Sequence, residues 1–299
     1  IMKKVFFILL LVLGLHSYSG WSQSNLLNAK VPQEIGIQEA EYQNPIAYGY
    51  VDDRDVLWSK TIWEIINLNE RINFPYYYPT IDNGFLSETR KSLFRVLYDN
   101  IAEGNITEIY SSSYFNDNEK LTFDDLGEKL EMRNLSTMGI EKSNAGEEVT
   151  DDDYDTYTIQ SDKIEQYLIK GTWYFNKRLG ELKYRLLGIA PVAPDVSTLS
   201  QGPEAMKDAL VPLFWVWFPD ARESLSNSKV FNTKNSSQPI TFDHMLNSRR
   251  FNATIYKEEN VYEDREVKEY IYEDALRQLL ESERIKSLIR DFEQDMWNN

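Results

Sequence analysis

The hydrophobic pattern of the first half of the chain has a helical period. Apolar residues at positions i, i+4, i+7 and i+8 share one face of a helix, and this spacing is met by Trp58, Ile62, Ile65 and Ile66. The pattern predicts a first helix from Asp55 to a stop at residues 73–75. A second helix is predicted from Ser87 to Ile101, and a third, short helix opens with a capping sequence at residues 122–125 and runs through Leu130.

The period changes to two in the second half. Tyr167, Ile169, Trp173 and Phe175 lie on one side of a predicted strand. Residues 182–186 alternate apolar and charged side chains in a second strand, and residues 176–180 join the two as a hairpin turn. This second strand is predicted to extend through Ala190 and to stop before Pro191.

The remaining predicted elements indicate an α+β fold. Leu213–Phe218 is apolar on both faces, which predicts a central strand that is covered on both sides. Thr241 caps a short helix through Leu246, residues 251–255 form the last strand, and the region from Asp264 is helical. We therefore predict an α+β fold, with a central antiparallel sheet and helices packed from the N-terminal and C-terminal regions.

The N-terminal segment has the layout of an export signal. Lys3 and Lys4 precede an apolar run, Val5–Leu13, which is too short to span a bilayer, and small residues follow it. We expect residues 1–22 to be a signal peptide, residues 23–50 an extended N-terminal arm and residues 51–299 a single α+β domain. The acidic, polar stretch at 141–158 is the best position for an internal boundary or loop.

The charge balance narrows the class of partner. The chain has 32 basic and 48 acidic residues, and without Lys3 and Lys4 the 30 remaining basic residues give a formal charge of −18. Nucleic acids and anionic lipid surfaces are bound through clusters of Lys and Arg, so this excess of carboxylates argues against both. The chain has no cysteine, which excludes a disulfide framework, a thiol nucleophile and an acylated N-terminal cysteine. We expect no nucleic acid partner and no direct membrane insertion.

The sequence offers little catalytic chemistry. Beyond the signal segment there is one histidine, His244, inside the predicted Thr241–Leu246 helix, and no nucleophile, zinc, phosphate or dinucleotide motif occurs. Asp151, Asp153 and Asp155 match the first ligand positions of an EF-hand loop, but the loop lacks the glycine and the final glutamate that calcium binding requires. We expect no enzymatic activity, no cofactor and no metal.

The sequence leaves two other functions open. The surplus of carboxylates permits a soluble envelope glycan hydrolase that uses a carboxylate pair. The tryptophans Trp173, Trp215 and Trp217 permit a carbohydrate-binding or peptide-binding module.

Several long strings resemble one known family. They span nearly all of the chain after the signal segment: Asp55–Trp63, Asn67–Pro75, Trp173–Glu181, Leu187–Pro191, Phe214–Pro219 with Ala221-Arg222, Ile255–Glu258, Asn260–Tyr262, Glu281–Lys286 and Asp295–Trp297. These strings resemble the GldN/PorN family of gliding motility and type IX secretion components.

The resemblance implies a structural part of a secretion machine. It implies a periplasmic protein that forms rings with an outer-membrane lipoprotein, the K component, and lies peripheral to the inner face of the outer membrane through that partner. It also implies self-association in the ring and contact with the periplasmic part of the inner-membrane motor, the M component. No catalytic residue is implied.

Tyrosines are the residues that we expect to contact these partners. Tyrosine supplies a large contact area at low entropic cost and is enriched at interfaces. The candidates lie in the arm and in an aromatic loop: Tyr42, Tyr48, Tyr50, Tyr76, Tyr77 and Tyr78.

Overall fold

The computed structural model describes residues 45, 47–81, 90–230, 240–272 and 274–297. Its strands are β1 (Val56–Asn67), β2 (Ile109–Tyr110), β3 (Glu131–Leu135), β4 (Tyr154–Thr158), β5 (Gln166–Asn176), β6 (Glu181–Pro194), β7 (Leu210–Pro212), β8 (Trp215–Trp217), β9 (Lys229–Val230), β10 (Ile240–Thr241) and β11 (Thr254–Glu258). Its α-helices are α1 (Phe74–Tyr77), α2 (Leu93–Ala102), α3 (Phe123–Leu130), α4 (Thr137–Ala145), α5 (Pro203–Asp208), α6 (Phe218–Asn227), α7 (Phe242–Asn247), α8 (Val267–Tyr270) and α9 (Ala275–Trp297).

A seven-stranded antiparallel sheet organises the fold. Its strand order is β11-β1-β5-β6-β8-β2, and β7 pairs with the end of β6. The long central hairpin β5–β6 runs in register from Asn176 opposite Glu181 to Gln166 opposite Val192, with one bulge after Lys170. The α+β prediction is confirmed, with a central antiparallel sheet and helices from the N-terminal and C-terminal regions.

The first face of the sheet carries the main core. Strand residues such as Ile66, Tyr167 and Ile189 are fully buried there against α2, α6 and α7. In α2 the predicted inward residues are all buried: Leu93, Val96, Leu97 and Ile101. Burying each large apolar side chain contributes about 1.5–3 kcal/mol, so this cluster is the main source of stability.

Both outer edges of the sheet are covered. Along β11, the Ser282 hydroxyl of α9 accepts a hydrogen bond from the Ile255 N–H at 2.9 Å, and Lys286 Nζ donates to the Ala253 carbonyl at 2.9 Å. Along β2, the Leu121 N–H donates to the Ile109 carbonyl at 2.8 Å, and the Ser111 N–H donates to Glu119. An uncovered edge is a template for pairing with another chain, and here helix and loop residues occupy both edges.

The second face of the sheet is only partly covered. A small buried cluster forms there around Trp63, Ala190 and Trp215. Phe115 lies over Gly188, where an added Cβ would come within 2.3 Å of the Phe115 ring. Gly188 is thus the position that lets the 111–116 loop lie against the sheet.

The first predicted helix is wrong, because residues 56–67 form the long strand β1. A spacing of four residues fits both the helical period of 3.6 and the strand period of two, so residues 58, 62 and 66 would share one face in either structure. Composition decides between them: Val56, Thr61 and three isoleucines are β-branched, and such side chains pack well on a pleated surface. Strand β1 pairs with β5 along its whole length.

Other boundaries also differ from the prediction. Helix α2 begins at Leu93 with Ser92 as its cap, and the predicted start, Ser87, lies outside the described residues. Strand β6 does not stop before Pro191 but continues through it. The Pro191 carbonyl accepts a hydrogen bond from the Leu213 N–H, in the gap between β7 and β8. Because no regular ladder runs along this gap, the missing N–H of proline interrupts none.

The predicted strand at 213–218 is shorter than expected. Only Trp215–Trp217 pair as β8, and Phe218 starts α6, although the apolar run is buried on both faces as predicted. The last strand begins at Thr254, three residues later than expected. The capped helices α3 and α7 are confirmed, with Thr122 and Thr241 as their N-caps.

The stretch at 141–158 holds regular structure at both ends. Helix α4 ends at Ala145, and β4 pairs with β3 as a separate two-stranded sheet. The domain boundaries, including an internal one in this stretch, stay a prediction.

Candidate partner-binding surface

An aromatic loop is held rigidly at the end of β1. Asn73 is fully buried, and its side-chain amide donates to the Asn67 carbonyl at 2.8 Å and to the Asn252 carbonyl at 3.0 Å. Its side-chain oxygen accepts from the Asn252 N–H at 3.0 Å. Three hydrogen bonds from one buried side chain fix the position at which α1 leaves the sheet.

Four large apolar side chains of this loop point into solvent. We define the aromatic-loop patch as Ile72, Phe74, Tyr78 and Ile81, which are 56%, 36%, 52% and 70% exposed. The rings of Phe74 and Tyr78 meet edge to face at 5.5 Å. Exposed apolar side chains that cluster on a rigid support are typical of a protein–protein contact site.

The neighbouring tyrosines face the protein instead. Tyr76 is fully buried, with its ring beside Phe242 and Phe251 and its hydroxyl donating to the Arg250 carbonyl at 3.3 Å. Tyr77 is half-buried and donates to the Asp162 carbonyl at 3.3 Å. Tyr76 is therefore a core residue that does not reach the surface.

The end of the N-terminal arm is clamped onto the domain. The Tyr48 ring lies between two guanidinium groups, with Arg185 Cζ at 3.9 Å and Arg222 Cζ at 3.8 Å from its centroid. Its hydroxyl donates to Asn247 Oδ1 at 2.5 Å. Burial raises the pKa of Tyr48, so the hydroxyl stays protonated as a donor at neutral pH. We call this arrangement the Tyr48 clamp.

A buried ion pair supports the Tyr48 clamp from below. Arg222 Nε donates to Asp243 Oδ1 at 2.8 Å, and a second guanidinium nitrogen donates to Oδ2 at 3.2 Å. Asn247 donates to the Asp243 carbonyl and to Oδ1, both at 2.8 Å. One carboxylate therefore orients both the arginine and the asparagine that hold Tyr48.

Of the other arm tyrosines, the structure describes only Tyr50, which is not held in this way. Tyr50 is 82% exposed, and Tyr42 lies outside the described residues. The structure thus brings Tyr78 together with an exposed patch, clamps Tyr48 within the chain and buries Tyr76. A partner-contact role stays a prediction for Tyr42, Tyr50, Tyr77 and Tyr78.

The comparison with protein families decides where this chain belongs. The profile described as "Gliding motility associated protein GldN" matches residues 51–298. The chain belongs to the GldN family. This membership associates it with gliding motility and type IX secretion, and the family is a structural component of the secretion machine. A search of curated proteins finds no match.

The acidic loop of this GldN-family chain has an internal use for its central carboxylate. Asp153 accepts from Lys142 Nζ at 2.6 Å and from the Thr150 N–H and hydroxyl at 2.9 Å. The hydrogen bond from Lys142, with those from Thr150, lowers the pKa of Asp153 to about 2. Within the described residues, no group of three or more His, Cys, Asp or Glu side chains is arranged to hold a metal ion.

The tryptophans considered for sugar stacking lie on different faces of the sheet. Trp173 packs in the cluster beneath α9, whereas Trp215 and Trp217 pack around Phe115 on the second face. They form no shared platform. His244 lies half-buried in α7, with its backbone N–H bonded to the Thr241 cap.

The sequence did not reveal the Tyr48 clamp. The one available signal was Arg222, a charged residue four positions after the apolar run Leu213–Phe218. In the part of the chain that is described, no helix is both long and apolar enough to cross a membrane.

Proposed function

We propose that this chain is a periplasmic structural subunit of the type IX secretion and gliding machine. It assembles with further copies of itself and with an outer-membrane lipoprotein, the K component, in a ring below the outer membrane. The ring contacts the periplasmic part of the inner-membrane motor, the M component. The observation that carries this proposal is the family match, which extends over residues 51–298 and hence over the folded domain.

The chemistry of the chain supports a scaffold. Two buried carboxylates are engaged in structural pairs, Asp243 with Arg222 and Glu64 with Arg249. The aromatic-loop patch provides an apolar contact surface on a rigid base. The layout of residues 1–22 supports export, and the lack of cysteine in the sequence agrees with attachment through a lipoprotein partner.

The proposal is tested by deleting the gene in the organism that encodes the chain. We expect proteins that carry C-terminal secretion signals to accumulate inside the cells, and a tagged copy of the chain to restore their export. In wild-type cells the tagged chain should sediment with the outer membrane, and it should become soluble when the lipoprotein gene is removed. Normal export in the deletion strain, or membrane retention without the lipoprotein, would contradict the proposal.

The arm provides a second expected result. Residues 23–44 precede the Tyr48 clamp, so deleting residues 24–44 should leave the clamp intact and change the thermal midpoint by only a few degrees. Since about 1 kcal/mol shifts a domain of this size by roughly 2–4 °C, differential scanning calorimetry resolves this outcome. The same deletion should weaken co-purification with the lipoprotein.

The matched control is Tyr48→Ala in the full-length chain. It releases the end of the arm but keeps every residue of the arm, and we expect it to lower the midpoint more than the deletion does. Unchanged co-purification after the deletion would assign the contact to another surface.

A further inference from the structure

Two lysines and a tryptophan form a row across three strands on the second face of the sheet. Trp63 on β1 lies directly opposite Lys170 on β5 and Lys257 on β11. Directly opposite residues share one face of an antiparallel sheet. Lys170 Nζ lies 4.9 Å and Lys257 Nζ 4.6 Å from the centroid of the Trp63 ring. Two positive charges therefore converge on one aromatic ring.

The two lysines lack a direct counterion among the described residues. Lys170 donates to the Ser113 carbonyl at 2.8 Å, and Lys257 donates to the Tyr114 hydroxyl at 2.8 Å. Tyr114 in turn donates to Asp264 at 3.1 Å, so the nearest carboxylate acts through an intervening hydroxyl. The rings of Trp63, Tyr114 and Phe115 face these ammonium groups and stabilise them in part, but they do not neutralise the charge.

The surrounding groups do not cancel this charge. Burial and the charge of Lys257 lower the pKa of Lys170, while Glu259 and Asp264 act in the opposite direction without overcoming them. The Trp63 indole Nε1–H is also buried without a hydrogen-bond acceptor in the described structure. A buried donor without a partner costs about 1–3 kcal/mol, so this part of the described sheet face lacks acceptor groups.

A groove of about 770 Å³ begins at Lys257, which is the member of this row that lines it. Its floor is the open sheet face at Ile65, Leu168 and Val192, and Trp215 and Leu279 line it further along. Lys257 and the serines at 111–113 form its polar end. The other charged residues that line it, Glu266 and Lys268, pair with each other at 2.8 Å, which leaves Lys257 as the net charge.

The groove fits a ligand with an alkyl body. Ligand pockets commonly have volumes of about 300–1,000 Å³, are mostly apolar and hold a few placed polar groups. The backbone groups of the floor are used in the sheet ladders, so a bound extended peptide would find few partners for its own N–H and C=O groups. An alkyl chain needs no such partners, and only its head group must be matched.

We propose that this groove binds a single-chain amphiphile with an anionic head. The head, a carboxylate or a phosphate, lies at Lys257 beside the serines at 111–113, and the alkyl chain lies along Ile65, Leu168 and Val192. Lys170 lies behind Lys257 in the row and adds positive charge without lining the groove. This site is separate from the aromatic-loop patch and does not depend on the proposed assembly role. It predicts that a strongly acidic protein binds an anionic ligand.

Calorimetric titration of the full mature chain tests this inference, with ligands kept below their micellar concentrations. We expect saturable binding of dodecanoate, and comparison with dodecyl phosphate identifies the preferred head group. Dodecyltrimethylammonium, which has the same chain and the opposite charge, should bind at least about tenfold more weakly, as should acetate, which lacks the chain. Equal binding of the cationic amphiphile, or of acetate, would overturn the proposal.

Variants locate the site. Lys257→Gln should weaken dodecanoate binding about tenfold, because it removes one charge-assisted hydrogen bond. Lys170→Gln should weaken it less, because Lys170 contributes only charge from behind the groove. Leu279→Glu should also weaken dodecanoate binding, because it places a carboxylate in the wall of the groove. The control Lys183→Gln removes the same charge from the β5–β6 hairpin, outside the groove, and should have no effect.

Circular dichroism checks that each variant folds, and if Lys170→Gln does not fold, Lys257→Gln decides the outcome. Unchanged binding in Lys257→Gln would overturn the proposal. It would also be overturned if an amphipathic peptide of leucine and glutamate bound while dodecanoate did not, since the groove would then belong to a protein partner.

Discussion

Replacing Asp243 by alanine should lower the free energy of unfolding by about 3–5 kcal/mol. The Asp243 side chain is 1% exposed and its partner Arg222 is 10% exposed, so the substitution leaves an arginine charge in a site from which water is excluded. The loss corresponds to a fall of roughly 6–20 °C in the thermal midpoint. Calorimetry or chemical unfolding of the purified mature chain measures it.

The control for this prediction is an exposed pair with similar geometry. Arg284 binds Glu281 through two hydrogen bonds at 2.7 and 2.8 Å, but the arginine side chain is half-exposed. Glu281→Ala should therefore cost at most about 1 kcal/mol. Equal losses in the two variants would show that burial is not what makes the Arg222–Asp243 pair important.

A double variant separates the two consequences of losing Asp243. Arg222→Met with Asp243→Leu removes both charges, and it should recover a large part of the stability, because apolar replacement of a buried pair is often neutral. It should not restore the Tyr48 clamp, since one of the two guanidinium groups around the Tyr48 ring is gone. Limited proteolysis near residues 45–50 would then stay faster than in the wild type.

The second large effect concerns assembly. Ile72→Glu with Ile81→Glu should weaken co-purification with the proposed partners by about 30-fold or more, which corresponds to about 2 kcal/mol. Both side chains are exposed in the aromatic-loop patch, so the stability of the chain itself should change by less than about 0.5 kcal/mol per site. Quantitative pull-down with the purified lipoprotein and with the motor component gives the comparison.

The matched control carries the same added charge at another exposed apolar position. Met138→Glu with Ile140→Glu changes two exposed residues of α4, which lies next to the small β3–β4 sheet. If both double variants bind alike, general repulsion by added carboxylates explains the loss. If neither weakens binding, the aromatic-loop patch is not the contact surface.

Local chemistry made several elements predictable from the sequence. Thr122 and Thr241 signalled helix starts because a threonine before an apolar run offers the oxygen that a first-turn N–H needs. The β5–β6 hairpin was predictable because alternation continues on both sides of a glycine turn. These signals lie within a few residues of the structure that they specify.

Features that depend on distant residues were not predictable. The apolar spacing in β1 fits a helix as well as a strand, and although its β-branched residues favour a strand, the pairing with β5 that completes it involves residues about 110 positions away. Tyr76 and Tyr78 are two positions apart in an aromatic run, yet one is buried and the other exposed, which depends on contacts with Phe242 and Phe251. The Lys170–Trp63–Lys257 row likewise joins residues from three separate strands.

The covered edges of the main sheet restrict how copies of this chain can associate. Because α9 hydrogen-bonds to the backbone along β11 and residues 119–121 hydrogen-bond to β2, a strand from another molecule would have to displace these groups to pair there. Joining two main sheets through β11 or β2 would therefore break existing hydrogen bonds, which disfavours open-ended growth by that route. In an assembly held by side-chain surfaces instead, the angle between those surfaces sets the size, and a change of that angle alone would alter the number of subunits.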